Sequence, residues 1–598
     1  MAVRIALPRA EMDKKYQWDL TSVYASDAAW EEELKGIAGD LPEISRIPGT
    51  LGASAEALKA GLDKVYALSE RMERAYGYAF LRKAGDNSDT RAQEMEARCI
   101  GLLTQFQASI AFLAPELIAM DEATLARYMA DDRLKGYRHA VEDIERARRY
   151  TLDHDGERML ALLSDAAQTP GNVFDMFESV DLTFPDVVDE EGNRLPLTHA
   201  SFSVFREHKS REVRRDAFEK YFGAFGGFIN TLCATYAGSV KLDCYEANVR
   251  GYESARQKAL FANNVPVQLY DDLIKTVSEG LGTVRRYLAL RKKLLGVDRL
   301  HLYDLYVPMV EDVEFDMPYE KACALVREAL KPLGAHYGEL LDRAFTEGWI
   351  DVYENRGKTT GAFSSGVYGA HPYVLLNYAD KLDDAFTLAH ELGHAMHSWH
   401  SDHAQSYVDH DYSIFVAEVA STVNEVLLTM YLLKTEKDPG RLAYIMNHFL
   451  EGFRTTVFRQ TQFAEFEKIA HEMYESGEPL TAEGLNRAYR GLNEKYYEGV
   501  ELDGYTDTEW ARIPHFYNAF YVYQYATGFC SAVAIADRIL NHGGREDYLR
   551  FLSTGGSDYP IEELKIAGVD LTGTAAIRSA LRVFDETLDR FTALLEDK

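Results

Sequence analysis

Residues 390–394 read His-Glu-Leu-Gly-His and lie in a stretch, 382–399, whose apolar residues recur with the period of an α-helix. On a helix, His390 and His394 are one turn apart and within about 40° of each other, so their imidazoles share one face. The apolar residues gather on the opposite face and are Leu388, Leu392, Ala395 and Trp399. Such a helix packs its apolar face into a core and leaves the histidine face free to line a cavity.

Two neutral imidazoles one turn apart can chelate a borderline-soft cation such as Zn²⁺. Glu391, beside them and not itself a ligand, can take a proton from water bound to the metal. Chance alone produces this five-residue pattern in some chains with 17 histidines. The helical setting and the segregated apolar face favour a metal site over a chance match.

A catalytic zinc ion needs a third protein ligand and one open position for water. His400 lies ten residues after His390, but the backbone would need a glycine at position 397 to turn back, and this chain has His397 there. On an uninterrupted helix, His400 would lie about 15 Å along the axis from His390. We therefore reject His400 as a ligand.

A carboxylate on the following helix is the second route. The stretch 413–427 begins with Ser413 as a predicted N-cap and places Glu418 and Glu425 together on one face. Its apolar face carries Val416, Val423 and Leu427. A solvated face usually explains such a glutamate pair, yet the flanking residues here are small or apolar. The pair is therefore predicted to supply one ligand and one supporting acid.

The same segments resemble oligoendopeptidase F, of the thimet oligopeptidase superfamily of zinc metallopeptidases. The resemblance covers nearly the whole chain, and its most specific block is residues 371–425. The motifs that carry it are His371–Tyr378, Asp383–His397 and Phe415–Thr422, with weaker matches at Trp18–Leu20, Arg250–Ala255 and Leu260–Val265.

This resemblance implies a role for each residue of the block. His390, His394 and Glu418 would bind one zinc ion per chain, and Glu391 would be the general base. Glu425 matches a second carboxylate that hydrogen-bonds a ligand imidazole and sets its tautomer. Cobalt or manganese could occupy the same ligands, and the sequence does not distinguish them from zinc.

A strand-like segment, 349–378, directly precedes the predicted metal helix. Its glycines permit a backbone that approaches a ligand closely, and Tyr373–Tyr378 could be an edge strand that offers main-chain hydrogen bonds to an extended peptide. The substrate-binding candidates are Gly361, Gly366, Gly369 and Tyr373. The alternative is a short sheet packed under the helix with exposed glycines. No Lys-Ser/Thr follows them, so they do not form a phosphate loop.

An aromatic segment, 514–527, carries the last candidates. Phe516, Phe520 and Tyr523 have the spacing of core residues. The family places a histidine and tyrosine hydroxyls over the zinc to polarise the scissile carbonyl, and His515 is the best match for the histidine. The matching tyrosine stays open among Tyr517, Tyr521 and Tyr525.

Length and composition set the fold class. Proline is scarce, at 16 of 598 residues, and no low-complexity linker interrupts the helical periodicity. We expect a mainly α fold, in which, as in the family, a large multi-helix body encloses a deep substrate channel and a small β-sheet lies next to the His-Glu-x-x-His helix. Residues 1–200 would form the N-terminal helical region and residues 201–598 the catalytic region. Near this boundary, two strand-like stretches, 180–188 and 195–199, flank the turn-like cluster 189–193, and so predict a hairpin.

Charge and cysteine content narrow the partners. A formal charge of -30 repels a phosphate backbone, so nucleic-acid binding is not expected. The five cysteines are odd in number and never in paired spacing, which argues against disulfides and a cysteine-ligated zinc. Residues 1–20 lack the apolar core of a signal peptide, and no apolar run approaches the length that spans a bilayer. We expect a cytoplasmic protein of undetermined oligomeric state with no membrane partner.

Together these features predict a zinc metalloendopeptidase that degrades short unfolded peptides. Two alternatives stay open. A metallocarboxypeptidase or peptidyl dipeptidase of the same helical fold would anchor the substrate's terminal carboxylate with a lysine or arginine. An inactive peptide-binding scaffold would not need the retained Glu391, and a structural zinc site would have all four positions filled by protein.

Overall fold

Helices form most of the residues 6–310 and 315–596 that the structure, a computed structural model, describes. Residues 1–5, part of the stretch 1–20 discussed above, lie outside the described part. In the first half of the chain the α-helices are α1 (Asp27–Ile44), α2 (Ala55–Gly85), α3 (Thr90–Ile110), α4 (Leu113–Ala119), α5 (Glu122–Met129), α6 (Arg138–Arg146), α7 (His154–Ala167), α8 (Thr169–Met176), α9 (His199–Phe205), α10 (Arg211–Gly226), α11 (Ile229–Arg250), α12 (Ala255–Phe261), α13 (Val267–Glu279) and α14 (Leu281–Leu295).

The second half continues the helical pattern around a short sheet. Its α-helices are α15 (Tyr319–Ala329), α16 (Ala335–Thr346), α17 (Leu382–Ala404), α18 (Ile414–Thr435), α19 (Pro439–Gly452), α20 (Arg459–Glu475), α21 (Ala482–Tyr496), α22 (Tyr523–Asn541), α23 (Arg545–Leu552), α24 (Pro560–Ile566) and α25 (Ala575–Glu596). The strands of the described chain are β1 (Val187–Val188), β2 (Arg194–Leu195), β3 (Ile350–Asp351), β4 (Phe363–Ser365) and β5 (Tyr373–Leu375). The mainly α prediction is confirmed.

Contacts divide the chain into two units, each assembled from three segments. Unit 1 comprises residues 1–149, 315–431 and 532–569. Unit 2 comprises residues 150–314, 432–531 and 570–598. The division into regions 1–200 and 201–598 stays a prediction about family organisation.

Helix α2 shows how unit 1 builds its core. The Ser54 hydroxyl accepts the N–H of Ala57 and so caps the N-terminus, while Arg82 and Lys83 lie in the last turn, where positive charge suits the helix dipole. Its buried stripe recurs every three or four residues and includes Leu58, Leu62, Val65, Leu68 and Met72. Each such side chain stabilises the fold by about 1.5–3 kcal/mol relative to exposure.

The two sheets of the described chain are small. The predicted hairpin is confirmed: β1 and β2 pair antiparallel, and Gly192 has a positive φ of 83° in the turn between them. The second sheet has the order β3-β5-β4, with β3 parallel and β4 antiparallel to β5. Both β4 and β5 pack against α17, so the prediction of a small sheet next to this helix is confirmed.

The prediction that no apolar run is long enough to span a bilayer is wrong, because two segments meet the criteria of length and apolar composition. Residues 90–119 and 414–435 both pass that test. The first segment is interrupted between α3 and α4. The second is α18, whose most apolar window is 67% buried, as in the core helix of a soluble protein. Two such segments are weak evidence for a membrane.

Candidate metal centre

Helix α17 carries the His-Glu-Leu-Gly-His motif without interruption. The Asp384 carboxylate accepts the backbone N–H of Lys381 at 2.8 Å and so ties down the helix start. Most of the predicted apolar face is buried, with Leu388, Leu392 and Ala395 each at 0% exposure, whereas Trp399 is half-buried. Because the helix runs to Ala404, His400 continues along its axis instead of turning back, in agreement with its rejection as a ligand.

Helix α18 starts where the sequence predicts, but not by the predicted cap. The Ser413 carbonyl accepts the N–H groups of Val416 and Ala417, whereas its hydroxyl is buried without a partner. The side-chain N-cap prediction is therefore wrong. Burial of Val416, Val423 and Leu427 confirms the predicted apolar face.

Gly393 lets α17 and α18 approach closely. A Cβ at this position would lie 2.5 Å from Ser421 Cα and 2.6 Å from the Ala420 carbonyl oxygen, distances that side-chain atoms do not tolerate. The Asn424 amide also bridges the helices, because it donates to the Ala389 carbonyl at 3.0 Å. This close packing brings the acidic face of α18 to the histidine face of α17.

Three side chains could hold one metal ion in the described chain: His390, His394 and Glu418. The two histidine Nε2 atoms are 3.2 Å apart. Glu418 Oε2 lies 3.3 Å from His390 Nε2 and 3.5 Å from His394 Nε2. The three donor atoms therefore form a nearly equilateral triangle with nitrogen and oxygen corners.

Neighbouring groups orient two of the three donors. Glu425 Oε1 lies 2.5 Å from His390 Nδ1, which leaves Nε2 of the same ring to face the triangle. The Ser421 hydroxyl donates to Glu418 Oε2 at 3.0 Å. An orienting partner of this kind sets the imidazole tautomer and strengthens a ligand's basicity.

The charges of the site favour a cation. Burial alone would lower the pKa of His390, but Glu418 and Glu425 outweigh it and raise that pKa to about 10. Burial would likewise raise the pKa of Glu418, but hydrogen bonds with His390 and His394 hold it well below its usual range. The carboxylates therefore stabilise positive charge at the imidazoles, whether it is carried by protons or by a metal ion.

Glu391 is the buried acid of the site and lies outside the donor triangle. It is 6% exposed. Burial raises the pKa of Glu391 against the opposing charges of His390 and His394. A carboxylate with a raised pKa is a stronger base than an exposed one, which suits proton transfer near neutral pH.

The edge-strand prediction for Tyr373–Tyr378 is wrong, because β5 is the central strand and pairs on both sides. The Tyr373 side chain is fully buried, and its hydroxyl lies 2.5 Å from the Ser22 hydroxyl, so it packs the core of unit 1. The exposed glycines Gly361, Gly366 and Gly369 flank β4. Within this sheet, β4 is an edge strand, and like β5 it packs on α17.

The aromatic segment 514–527 belongs to unit 2, whereas the donor triangle belongs to unit 1. His515, Tyr521 and Tyr525 form one cluster, with ring centroids 5.4–6.2 Å apart and the Tyr525 hydroxyl 3.4 Å from His515 Nε2. Tyr517 is separate from this cluster and stacks on Phe174 at 4.7 Å. The predicted core residues Phe516, Phe520 and Tyr523 are buried.

The backbone before Tyr521 is strained. Phe520 has a positive φ of 58°, which a residue with a side chain adopts at a cost. Its N–H donates to the buried carboxylate of Glu467 at 2.9 Å, which holds the turn that leads to Tyr521. Sequence analysis missed Glu467, Ser421 and Asn424. Ser421 lies within the Phe415–Thr422 motif, but nothing in that motif marks it as a partner of Glu418, and the other two belong to no recognisable motif.

Two family models match the chain. Residues 204–583 match the model of peptidase family M3, and residues 116–184 match that of oligopeptidase F. The chain belongs to peptidase family M3. The first match covers the donor triangle, Glu391 and the aromatic cluster. This family assignment confirms the predicted enzyme class and the resemblance to oligoendopeptidase F.

Relatives of this M3 peptidase match along nearly its whole length. Oligopeptidase PepF of Bacillus subtilis is 42% identical, with 98% of this chain and 88% of the relative covered. Group B oligopeptidase PepB of Streptococcus agalactiae is 40% identical, with 97% of each chain covered. These identities extend across both units.

Solved structures share the fold. A protein from Chlamydophila abortus has a TM-score of 0.94 at 32% identity and covers 99% of this chain and 100% of its own. Oligoendopeptidase-F from Enterococcus faecium has a TM-score of 0.74 at 35% identity and covers 96% and 100%. The M3 peptidase is therefore similar to an oligoendopeptidase in both sequence and architecture.

Proposed function

We propose that this chain is a zinc-dependent endopeptidase that hydrolyses internal bonds of short, unfolded peptides and holds one zinc ion per chain. The observation that carries the proposal is the donor triangle of His390, His394 and Glu418 beside the buried Glu391. Its relatives' names, oligopeptidase and oligoendopeptidase, support the choice of peptide substrates.

The triangle matches the size of a zinc site. A tetrahedral ion with bonds of about 2.0–2.2 Å separates its ligand atoms by about 3.3–3.6 Å. The edges of the triangle are 3.2, 3.3 and 3.5 Å. Three protein donors leave the fourth tetrahedral position for water, as in catalytic and not structural zinc sites. Two imidazoles and one carboxylate also suit zinc better than calcium or magnesium, which prefer oxygen alone.

Glu391 performs the proton transfers in this proposal. When bound, zinc supplies Lewis acidity that makes water a stronger acid and polarises a carbonyl. Glu391 accepts the proton as water attacks the peptide carbonyl, and it then delivers that proton to the nitrogen of the leaving amine. Glu425 holds the His390 ring in place throughout through its 2.5 Å contact with Nδ1.

The substrate main chain is proposed to pair with β4 and not with β5. Strand β4 lies at the edge of its sheet and against α17, so an added strand would run beside the helix that carries Glu391. Gly361, Gly366 and Gly369 are exposed around it and would allow close main-chain approach. Tyr373, on the neighbouring strand β5, is buried and supports the sheet.

Hydroxyl and imidazole donors are proposed to stabilise the developing oxyanion. His515, Tyr521 and Tyr525 are the candidates, because they form one cluster with exposed or half-buried rings. Tyr517 is not proposed as a donor, because it lies outside this cluster and stacks on Phe174.

The cluster of His515, Tyr521 and Tyr525 predicts that tyrosine variants differ in their effect on turnover. Tyr→Phe deletes only the hydroxyl, so loss of an oxyanion donor at Tyr521 or Tyr525 should lower kcat by about 10²–10³-fold with zinc content unchanged. His515→Ala should do the same. Tyr517→Phe is the matched control and should turn over nearly normally. If His515→Ala and both cluster Tyr→Phe variants match the parent enzyme, the oxyanion donors lie elsewhere.

Substrate access predicts selection by size and folding. If a deep channel admits the substrate, peptides should be cut internally, while a stable folded protein with the same bond in a surface loop should resist. The measurement is mass spectrometry of all products from peptides of graded length, with and without a chelator. The control is the same protein after reduction and unfolding, divided into fragments of graded length. Fragments that are short enough to enter the channel should be cut.

Blocked peptides separate the proposal from its same-class alternatives. An endopeptidase should still cut peptides that carry an acetylated N-terminus and an amidated C-terminus. A carboxypeptidase or peptidyl dipeptidase needs the free terminal carboxylate and should fail on them. Efficient cleavage of native proteins, or failure on every blocked peptide, would contradict this part of the proposal. We further propose a cytoplasmic location and short peptides as substrates, with neither nucleic acid nor membrane as a partner.

A further inference from the structure

A small cavity lies within unit 2, and none of its lining residues belongs to the donor triangle. Its volume is about 30 Å³, enough for one or two water-sized groups. Arginines line it from four elements: Arg206 after α9, Arg454 in the π-helical segment Phe453–Phe458, Arg459 at the start of α20 and Arg512 at the end of the 3-10 helix Thr506–Arg512. So many cations around one small buried space are unusual.

The carboxylates near the cavity are too few to neutralise these arginines. Glu509 is shared by Arg459 and Arg512. Glu451, three residues before Arg454, is shared by Arg454 and Arg291, each at 1% side-chain exposure. With Arg291, which does not line the cavity, two carboxylates thus serve four arginines before Arg206 is counted.

Arg206 adds a fifth positive charge. In the part of the chain that the structure describes, no carboxylate pairs with it, and its guanidinium lies 4.0 Å over the Tyr306 ring. Among the residues that the structure describes, five arginines therefore share two carboxylates, and three positive charges remain. Buried charges without a partner are costly, so the fold has reason to recruit a counter-charge.

Unpaired N–H groups accompany the surplus charge. Arg206 Nε, Arg454 Nη1 and Arg512 Nε are buried and have no hydrogen-bond partner. Arg454 uses its other two nitrogens to bind Glu451. Its position in a π-helical segment matters because such wide turns are frequent at functional sites.

Tyr306 reports the same positive field. Burial alone would raise the pKa of its phenol, but the charges of Arg459, Arg454 and Arg206 lower that pKa to about 8. A phenolate at this position would cancel only one of the three surplus charges. Water could accept hydrogen bonds from the free N–H groups but would cancel none.

We propose that this arginine-lined cavity is a binding site for a small inorganic anion, a halide or an oxyanion, that bridges Arg206, Arg454 and Arg512. The anion joins the end of α9, the π-helical segment and the 3-10 helix Thr506–Arg512, and so stabilises unit 2. It is independent of the metal centre and of peptide hydrolysis.

Thermal unfolding of the metal-loaded enzyme tests the site. Gluconate, too bulky for the cavity, serves as the reference anion, and chloride, bromide or sulfate replaces it at constant pH and ionic strength. The Tm should rise and saturate with at least one small anion, because the ligand binds only the folded state. Arg206→Gln should weaken the apparent affinity by about 10–100-fold. Arg206 is the better target because its removal leaves no carboxylate unpaired.

Two further variants define the controls. Arg215 lies on α10 and pairs with Glu212 at the surface, so Arg215→Gln removes the same charge and should keep the saturable response. Tyr306→Phe keeps the ring beneath Arg206, so this variant should also show the saturable rise in Tm. In the parent enzyme, a bound anion should raise the pH at which the phenolate absorbance of Tyr306 appears, because the anion and the phenolate repel each other.

Three outcomes would overturn the proposal. One is a Tm that does not respond to any small anion in a saturable way, and another is an equal response in Arg206→Gln and the parent. The third is phenolate absorbance that titrates near neutral pH and ignores added anions, which would make Tyr306 the counter-charge. Should Arg206→Gln not fold, crystals of the parent in bromide still decide the matter, by an anomalous peak in the cavity or none.

Discussion

Glu391→Gln should abolish most turnover and leave the metal content at about one ion per chain. The amide keeps the size of the side chain but cannot accept a proton, and general-base catalysis contributes about 10²–10⁴-fold to rate. Glu391 lies outside the donor triangle, so metal binding should survive. Single-turnover kinetics on a defined peptide, with metal analysis of the same sample, measure both quantities.

A surface variant controls for the change of carboxylate to amide. Glu347 pairs with Arg343 at the end of α16, and Glu347→Gln should behave like the parent enzyme in both measurements. The assignment of Glu391 as base fails if Glu391→Gln loses its metal or keeps normal turnover. Normal metal content with a lost rate would separate this enzyme from an inactive scaffold.

Removal of a metal-binding side chain of the triangle should, unlike Glu391→Gln, reduce the metal content as well as turnover. His390→Ala or Glu418→Ala leaves two of three donors, so the metal should be lost on dialysis and turnover should fall with it. Glu425→Gln removes only the group that orients His390, and a change of this kind lowers metal affinity by about 10–100-fold. Competition with a chelator of known affinity ranks the variants.

His403 offers a matched control on the same helix. It is exposed and its Nδ1 contacts only the Trp399 carbonyl, so His403→Ala removes an imidazole from α17 without touching the triangle. It should keep both metal and rate. Full metal binding by His390→Ala or Glu418→Ala would show that the triangle is not the metal site.

Local sequence pattern predicted the parts of the site that depend on one helix at a time. His390 and His394 share a face because helical geometry alone sets residues four apart on one side. Glu418 and Glu425 share a face of α18 for the same reason. The apolar faces behind both pairs were predicted from the same period, and burial confirms them.

Resemblance supplied what local pattern could not. Nothing in the spacing from His394 to Glu418 shows that the two helices meet, and the solvated-face alternative for the glutamates was sound on local grounds. Family membership now supports the pairing, and the 3.5 Å separation of Glu418 Oε2 from His394 Nε2 gives it a geometry.

The two errors near the metal centre share one physical origin. Tyr373–Leu375 reads as a strand, but whether a strand is central or at an edge depends on its neighbours, and β3 and β4 come from separate stretches of chain. Ser413 has the residue type of an N-cap, but its hydroxyl is buried without a partner and only its carbonyl accepts N–H groups of the first turn. Neither outcome follows from residue type or hydrophobic period alone.

The sequence by itself determined the helical class, the histidine face of α17, the acidic face of α18 and the enzyme family, because helical period and motif spacing are local properties of the chain. Tertiary structure alone decided how these faces meet. Gly393 removes the one side chain that would hold α17 and α18 apart, and Asn424 then pins them together. Long-range packing also gathered five arginines around two carboxylates, from segments separated by up to about three hundred residues, which no local pattern announces.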